Sequence, residues 1–236
     1  YTQINNIEII HAHLGGAVIA SALIKRKANI KKLFFTQHFI HPASSQSNLI
    51  KKLISKIVFK YAFSKVDRII AVSTEVKNNI IRRNEASKNK IERIFCGITG
   101  TSKNKTSQET PSLLIVSRLE KEKGIIDFLP IIFNLAKKHD FQINIVGSGS
   151  KKRKLADQIT KAKLQGRIKL IGHISDVEPY YLQSSILIHP AHNEPFGLVL
   201  TEAMSAKLPV IAFNKGGPRD IIANGETGFL VNSLDE

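Results

Sequence analysis

Short continuous apolar runs alternate with amphipathic stretches along the whole chain. A continuous apolar run is typical of a strand covered on both faces, whereas apolar residues at every third or fourth position are typical of a helix. Their alternation predicts parallel α/β layers. The predicted strands are 7–13, 31–38, 68–73, 90–95, 112–117, 141–147, 167–172, 186–190, 209–213 and 227–231. The predicted helices are 16–28, 48–65, 74–84, 124–138, 151–164, 177–183, 197–206 and 218–223.

A polar segment, 99–111, separates these elements into two series, and its Ser and Thr content is typical of a linker. We therefore expect one doubly wound domain in 1–98 and a second in 112–236, facing a cleft that binds a ligand at the carboxyl ends of the strands. The first series has few strands and no Gly-rich first turn. We expect that domain to be incomplete and the chain to be cut at both ends.

The composition is that of an ordinary globular protein, with 42% hydrophobic and 23% charged residues. No apolar run reaches the roughly eighteen residues of a membrane-spanning helix, and the first residues do not resemble a signal peptide. The single cysteine, Cys96, excludes an internal disulfide and a thiolate zinc cluster. The expected location is the cytoplasm.

The net charge of +16 lies mainly in the first half of the chain. Residues 1–110 hold 19 Lys and Arg against 6 Asp and Glu, a charge of +13, and residues 111–236 hold 16 against 13, a charge of +3. This field attracts nucleic acid, anionic lipid or phosphate-bearing substrates, unless the lysines only decorate a solvated surface. No recognition-helix or aromatic-interleaved basic motif is present in the sequence, so we expect no nucleic-acid partner.

The strongest chemical signal begins where a predicted strand ends at His189. A loop follows, and a helix begins near Phe196, Gly197 and Leu198. Backbone N–H groups at a helix start are unpaired and the helix dipole favours anions, so a diphosphate fits there. Gly197 also lets the backbone approach a ligand closely.

Two carboxylates and two cations accompany this helix start. Glu194 lies in the loop and Glu202 about two turns inside the helix, so both can face one cleft and accept hydrogen bonds from sugar or ribose hydroxyls. Arg118 follows an earlier predicted strand and Lys123 opens the next helix, so the two can converge on one diphosphate. Taken singly, each residue is more simply explained as a helix cap or a surface charge.

Together these segments resemble the family 4 retaining glycosyltransferases, which have the GT-B fold of two Rossmann-like domains. The family's Glu–seven residues–Glu motif matches Glu194 and Glu202. The resemblance implies that Glu194 contacts the donor sugar and Glu202 holds the nucleotide ribose. The family's GRL…KG signature matches Arg118 and Lys123, which implies that both bind the donor diphosphate and stabilise the leaving nucleotide.

The resemblance extends to neighbouring loops and to the first half. Gly147 and Gly149 match the family's V-G-x-G turn at the nucleotide end of the cleft. The loop containing His173 matches the base-side loop, where His173 is either structural or stacks on the base edge. His38 matches a histidine near the anomeric region of the donor, although a strand-end histidine bonded to a carbonyl is a simpler alternative. His13 matches a recurrent strand-end histidine of vaguer role, and we expect no metal there.

Besides lacking the family's glycine-rich turn in the first domain, the chain departs from the family pattern at two places. Cys96-Gly97 stands where the family usually has Asn-Gly. Lys207 stands where a glycine usually ends a helix, which places a side chain at a position that often needs a positive φ.

The predicted helix at 48–65 combines an apolar stripe with five lysines. Two interpretations remain open. The helix lies on an anionic membrane surface, or it packs on the sheet with its lysines in solvent.

We therefore expect a retaining hexosyltransferase that uses a nucleotide diphosphate sugar and a saccharide or lipid-linked acceptor, with no metal or other cofactor, in the cytoplasm or peripherally on the inner face of the plasma membrane. Its expected catalytic residues are Glu194, Arg118, Lys123 and His38. The alternatives are a synthase or phosphorylase of the same fold, an inactive remnant that binds nucleotide only, and a basic nucleic-acid-binding protein. No carboxylate pair suggests glycoside hydrolysis.

Overall fold

The computed structural model describes residues 7–40, 49–106 and 110–234. It divides into two compact units, Tyr1–Cys96 and Gly97–Glu236. Within the described ranges, no helix combines the length and the apolar content that crossing a membrane requires.

The first unit is a four-stranded parallel sheet in the order β1-β2-β3-β4. Its strands are β1 Ile9–His13, β2 Lys32–Gln37, β3 Arg68–Ala71 and β4 Ile91–Arg93. Its helices are α1 Gly15–Ile24, α2 Leu49–Lys65 and α3 Thr74–Arg82, with a 3-10 turn at Lys88–Lys90.

The core of the first unit comes from strand residues that the helices cover. Leu33, Phe35 and Ile69 are fully buried, as is Phe63 on α2. The start of α3 is fixed by Ser73, whose buried hydroxyl accepts a hydrogen bond from the Val76 N–H at 3.1 Å. Such a cap satisfies one of the orphan donors of a helix start and stabilises a helix by about 1 kcal/mol.

The second unit contains a six-stranded parallel sheet. Its strands are β5 Ser112–Val116, β6 Gln142–Val146, β7 Ile168–Gly172, β8 Ile186–His189, β9 Val210–Phe213 and β10 Gly228–Val231. Its helices are α4 Ile125–Lys138, α5 Lys152–Lys161, α6 Glu178–Gln183, α7 Leu198–Ser205 and α8 Pro218–Ile221, with a 3-10 turn at Lys121–Lys123 before α4.

The strand order of this sheet, β7-β6-β5-β8-β9-β10, is that of a Rossmann fold. The chain runs outward from β5 in one direction and from β8 in the other, so the crevice between the ends of these two strands is the topological switch point. Open sheets of this kind bind ligands there. Arg118 lies just beyond the end of β5, and the 190–197 loop follows β8.

Both faces of the second sheet are covered. Leu114 and Leu187 pack on one face with Leu200 of α7. Ile115 and Ile143 pack on the other face with Leu129 of α4, Ile132, Leu155 and their neighbours. The continuous apolar runs therefore correspond to doubly covered strands, and the predicted α/β layering is confirmed.

Every predicted strand and helix has a counterpart in the structure, but α1 and α5 end earlier than their patterns predict. Lys163, one residue before the predicted end of α5, adopts a left-handed conformation, and residues 25–28 after α1 form turns that lead to Asn29, which is also left-handed. A left-handed residue terminates a helix. Lys207 also has a positive φ, 56°, as predicted for that position, and it follows the end of α7.

The segment expected to link the domains packs against the second unit. The backbone N–H of Thr106 donates to the Leu182 carbonyl at 3.0 Å. Lys103 forms an ion pair with Glu178, and the pKa of Glu178 is lowered by that hydrogen bond and charge. The second unit accordingly begins at Gly97.

Candidate functional site

A buried ion pair lies beside the switch point of the second unit. The Lys123 ammonium donates to Oε2 of Glu194 at 2.7 Å, and Nε2 of His189 lies 3.0 Å from the same oxygen. The Lys123, Glu194 and His189 side chains are only 15%, 12% and 3% exposed. Both contacts end on Oε2, and no hydrogen bond from another described residue reaches the second oxygen, Oε1, which can therefore accept one from a ligand hydroxyl.

The environment of Glu194 keeps it ionised. Burial alone would raise its pKa, but the hydrogen bond and charge of His189 and the Lys123 ammonium outweigh burial and lower it to about 2. The carboxylate is therefore a permanent acceptor at neutral pH.

Three glycines hold the Glu194 loop in place by allowing backbones to touch. A Cβ on Gly124 would lie 2.0 Å from the Pro190 carbonyl oxygen, so only glycine lets the start of α4 carry Lys123 against this loop. On the other side, a Cβ on Gly216 would lie 2.4 Å from the Glu194 carbonyl oxygen. The Gly217 N–H donates to that carbonyl at 2.8 Å.

The α7 start has the geometry of an anion site. Gly197 adopts φ 109° and ψ 59° as the N-cap residue, a left-handed conformation that suits glycine. Phe196 before it is buried, whereas Leu198 after it is 45% exposed. The first N–H groups of α7 have no partners within the helix, as at any helix start, and can face a phosphate.

Arg118 and the glycine-rich turn lie at the ends of β5 and β6. The Arg118 side chain is 69% exposed and donates to Glu122 at 3.2 Å, so its hydrogen bond is to a neighbour in sequence and not to Glu194. A Cβ on Gly147 would lie 1.9 Å from the Ser117 carbonyl oxygen. The turn therefore packs directly on the backbone next to Arg118.

The same turn continues through Gly149 and is fixed by a carboxylate. A Cβ on Gly149 would meet the Leu119 carbonyl oxygen at 2.5 Å. Glu120 accepts from the Ser150 backbone at 2.9 Å and from the Ser150 hydroxyl at 2.6 Å, and these bonds lower the pKa of Glu120. His173, just beyond β7, is exposed.

Glu202 has a separate partner. The Tyr181 hydroxyl donates to Oε2 of Glu202 at 2.7 Å, and burial together with this bond raises the pKa of Tyr181. Both residues line a cavity of about 430 Å³, which Leu198, Ser175, residues 97–99 and Thr101 also line. A cavity of this size has room for a nucleoside-sized group.

The first unit gathers histidines at the ends of β1 and β2. Nδ1 of His13 lies 2.8 Å from Nε2 of His38, so His38 is bonded to an imidazole and not to a carbonyl through that nitrogen. His11 lies 2.8 Å from the Thr36 hydroxyl. Burial and the neighbouring imidazoles lower the pKa of His38. Within the described residues, no three His, Cys, Asp or Glu side chains are arranged to hold a metal ion.

Sequence reasoning missed two polar residues of this site. His189 was identified only as the last residue of a strand, although a histidine that is buried at a strand end needs a polar partner. Tyr181 was assigned only to a helix, and nothing in the sequence links it to Glu202, which is 21 residues away.

Two parallel α/β units, the second with its polar cluster at the switch point, form the GT-B fold. A crystal structure of Anabaena HepE in complex with UDP matches 98% of this chain and 66% of its own length, with a TM-score of 0.80 and 21% identity. The chain belongs to the group 1 glycosyl transferases, whose family model matches residues 100–235. The model of Glycosyltransferase Family 4 matches residues 2–99.

Two curated relatives have similar sequences. A 2-deoxystreptamine N-acetyl-D-glucosaminyltransferase from Niallia circulans is 28% identical over 98% of this chain and 64% of the relative. An uncharacterised glycosyltransferase from Methanocaldococcus jannaschii is 30% identical over 95% of this chain and 61% of the relative. The chain thus spans less than two thirds of the length of either relative.

Proposed function

We propose that this chain carries the donor site of a retaining hexosyltransferase that takes a hexose from a nucleotide diphosphate sugar. The observation that carries the proposal is the buried Lys123–Glu194 pair next to His189, at the switch point of a Rossmann-type sheet. A fixed anion beside a fixed cation suits a ligand that presents hydroxyls next to a phosphate.

In this proposal Glu194 binds the sugar of the donor and Lys123 binds its diphosphate. Oε1 of Glu194 accepts a hydrogen bond from a sugar hydroxyl. An ammonium has three donors, so Lys123 keeps two for the diphosphate while it remains bonded to Glu194. Arg118 and its partner Glu122 are both exposed, so their ion pair is weak and Arg118 exchanges Glu122 for phosphate.

The nucleotide occupies the rest of the second unit in this proposal. Glu202, held by Tyr181, accepts from the ribose hydroxyls beside the 430 Å³ cavity. The α7 start at Gly197 and Leu198 binds the diphosphate through backbone N–H groups. Gly147 and Gly149 leave room for the nucleotide near β6, and His173 lies on the side of the base.

Transfer breaks the bond between the anomeric carbon and the diphosphate oxygen and forms a bond from that carbon to an acceptor hydroxyl. The acceptor proton passes to the departing diphosphate, so no separate base is required when both bonds lie on the same face of the sugar, the geometry of retention. Lys123 and Arg118 stabilise the charge that grows on the leaving group, which requires no metal. His38 and His13 are bonded to each other within the first unit, and a role of His38 near the anomeric centre rests on the family resemblance.

The acceptor in this proposal is a saccharide or a lipid-linked saccharide, in glycan biosynthesis. The name of the Niallia circulans relative, a 2-deoxystreptamine N-acetyl-D-glucosaminyltransferase, supports the transfer of a sugar. HepE was solved with UDP, which supports a uridine nucleotide as the first donor to test.

A thermal-shift panel of UDP, GDP and ADP sugars tests the proposal. We expect the sugars of one of these nucleotides to raise the melting temperature of the chain in proportion to the logarithm of ligand concentration. The reason is that a ligand that binds only the native state stabilises it by mass action. The free sugar without nucleotide is the control and should give no shift. No shift with any nucleotide sugar would contradict the donor site.

A further inference from the structure

Helix α2 has two apolar faces, although packing on a sheet requires only one. Ala62 and Phe63 on one face are 0% and 1% exposed and join the core of the first unit. On the other face, Leu53, Ile54, Ile57 and Tyr61 are 61%, 56%, 59% and 47% exposed.

The exposed residues form a continuous stripe. At about 100° per residue, Leu53, Ile54, Ile57 and Tyr61 fall within one arc of about 100° on the helix surface, opposite Ala62. This set of four side chains is the outer stripe of α2. Exposed apolar residues that occur singly need no explanation, but a row of four along a little over two turns marks an interaction surface.

The charged residues of α2 itself are all lysines. Helix α2 contains five lysines and no acidic residue. Lys56 and Lys60 are exposed on one flank of the stripe by the same helical geometry, and Lys65 lies on the other flank with its ammonium 5.5 Å from the centre of the Tyr61 ring. Lysines in this arrangement keep their charge in water while their stems cover apolar surface.

We infer that the outer stripe of α2 docks on an anionic lipid membrane, as an interfacial helix with its apolar side chains below the headgroups and its lysines among them. The charge decides between occupants. A second copy of this chain would bring two strongly basic first halves together, each with a charge of +13 over residues 1–110, and these would repel. Anionic lipid instead matches both the apolar stripe and its lysine flanks. This inference concerns the first unit and does not depend on the donor chemistry of the second.

Vesicle co-sedimentation of the full chain tests the inference, with phosphatidylcholine vesicles that contain or lack about a third phosphatidylglycerol. We expect binding to be at least about tenfold tighter with phosphatidylglycerol and to weaken as salt rises from about 0.05 to about 0.3 M, because exposed charges are screened. The double variant Ile54→Gln/Ile57→Gln should lose binding by about tenfold or more. Its matched control is Phe229→Gln on β10 of the second unit, which is 55% exposed and should bind unchanged.

The role of the lysine charge on α2 is tested by the same co-sedimentation assay. Lys56→Glu/Lys60→Glu should abolish the preference for phosphatidylglycerol, whereas Lys137→Glu/Lys138→Glu at the end of α4 should keep it. Equal binding to neutral vesicles, or an equal loss in the control variants, would overturn the inference. So would self-association in sedimentation equilibrium that Ile54→Gln/Ile57→Gln removes, since the stripe would then bind a second copy. A marked fall in melting temperature of that variant would also overturn it, because the stripe would then be covered within the chain.

Discussion

Lys123 and Glu194 come from different turns of the second unit, 71 residues apart, and meet at 2.7 Å with both side chains largely buried. Burying two charges costs several kcal/mol for each ion, so such a pair is weak evidence for stability by itself. Here the pair lies at the switch point of the sheet and is bonded to a third buried group, His189. We interpret this desolvation cost as the cost of holding the binding site in its final geometry before the ligand binds.

Replacing Glu194 with Gln should make the stability of the protein less dependent on pH. The pKa of Glu194 is about 2 when folded and about 4.5 when unfolded, so its charge stabilises the native state fully above pH 4.5. That contribution disappears progressively as pH falls toward 2. We expect Glu194→Gln to lower the free energy of unfolding by on the order of 3 kcal/mol at pH 7. Urea unfolding across pH 7 to 3 should show the two proteins converging, and parallel curves would contradict the assigned pKa.

His189 should act on the donor only indirectly, by holding Glu194 in position. In His189→Leu, Oε2 of Glu194 loses one of its two hydrogen bonds, so affinity for the nucleotide sugar should fall about tenfold or more. Affinity for the nucleotide diphosphate without sugar should change little. His189→Gln keeps an N–H donor and should restore part of the loss. Calorimetric titration with both ligands separates these outcomes, and an equal loss for both would show only general damage to the fold.

Tyr181 should matter for the nucleotide and not for the sugar. Tyr181→Phe removes the hydroxyl that donates to Glu202 but keeps the buried ring, so the helix packing should survive. A hydrogen bond to a charged group contributes about 1.5–3 kcal/mol, which predicts at least about tenfold weaker binding of the nucleotide diphosphate. Tyr180→Phe, on the same helix, is the matched control. Equal affinity in the two variants would refute the role of Tyr181.

Lys207 should be a point of backbone strain. Its φ of 56° costs a residue with a Cβ roughly 1–2 kcal/mol, whereas glycine adopts this conformation freely. Glycine also loses about 0.5–1 kcal/mol through its greater freedom in the unfolded chain. Lys207→Gly should therefore raise the free energy of unfolding by up to about 1 kcal/mol, as should Lys163→Gly, where φ is 57°. Chemical denaturation measures both, and a clear loss of stability in both would refute the argument.

The architecture followed from sequence because its signals are local. The apolar run at Ser112–Val116 and the amphipathic pattern of Ile125–Lys138 each predict an element without knowledge of any other. The positive φ of Lys207 could also be predicted from a local signal, because it follows from where the helix ends. The Glu194 loop was also singled out from the sequence, because its resemblance to a family motif is carried by consecutive positions, and its role remains a prediction.

The contacts within the site could not be predicted because they depend on how distant segments meet. The Gly216-Gly217 pair stands out in the sequence, but only the fold shows that it packs on the Glu194 and Phe196 backbone. Likewise, the sequence predicts that Arg118 and Lys123 lie close together. In the structure, Arg118 pairs with the exposed Glu122, whereas Lys123 pairs with the buried Glu194. It remains a prediction that Arg118 and Lys123 bind the same diphosphate.

Calorimetric titration of nucleotide diphosphate against Lys123→Met tests the central claim most directly. Methionine keeps much of the lysine stem but removes its charge, so we expect at least about tenfold weaker binding, the equivalent of one charge-assisted phosphate contact. Lys121→Met, in the same 3-10 turn but with an exposed side chain, is the matched control and should bind as the unmodified chain does. Retained binding in Lys123→Met, or the same loss in Lys121→Met, would contradict a donor site built on Lys123 and Glu194.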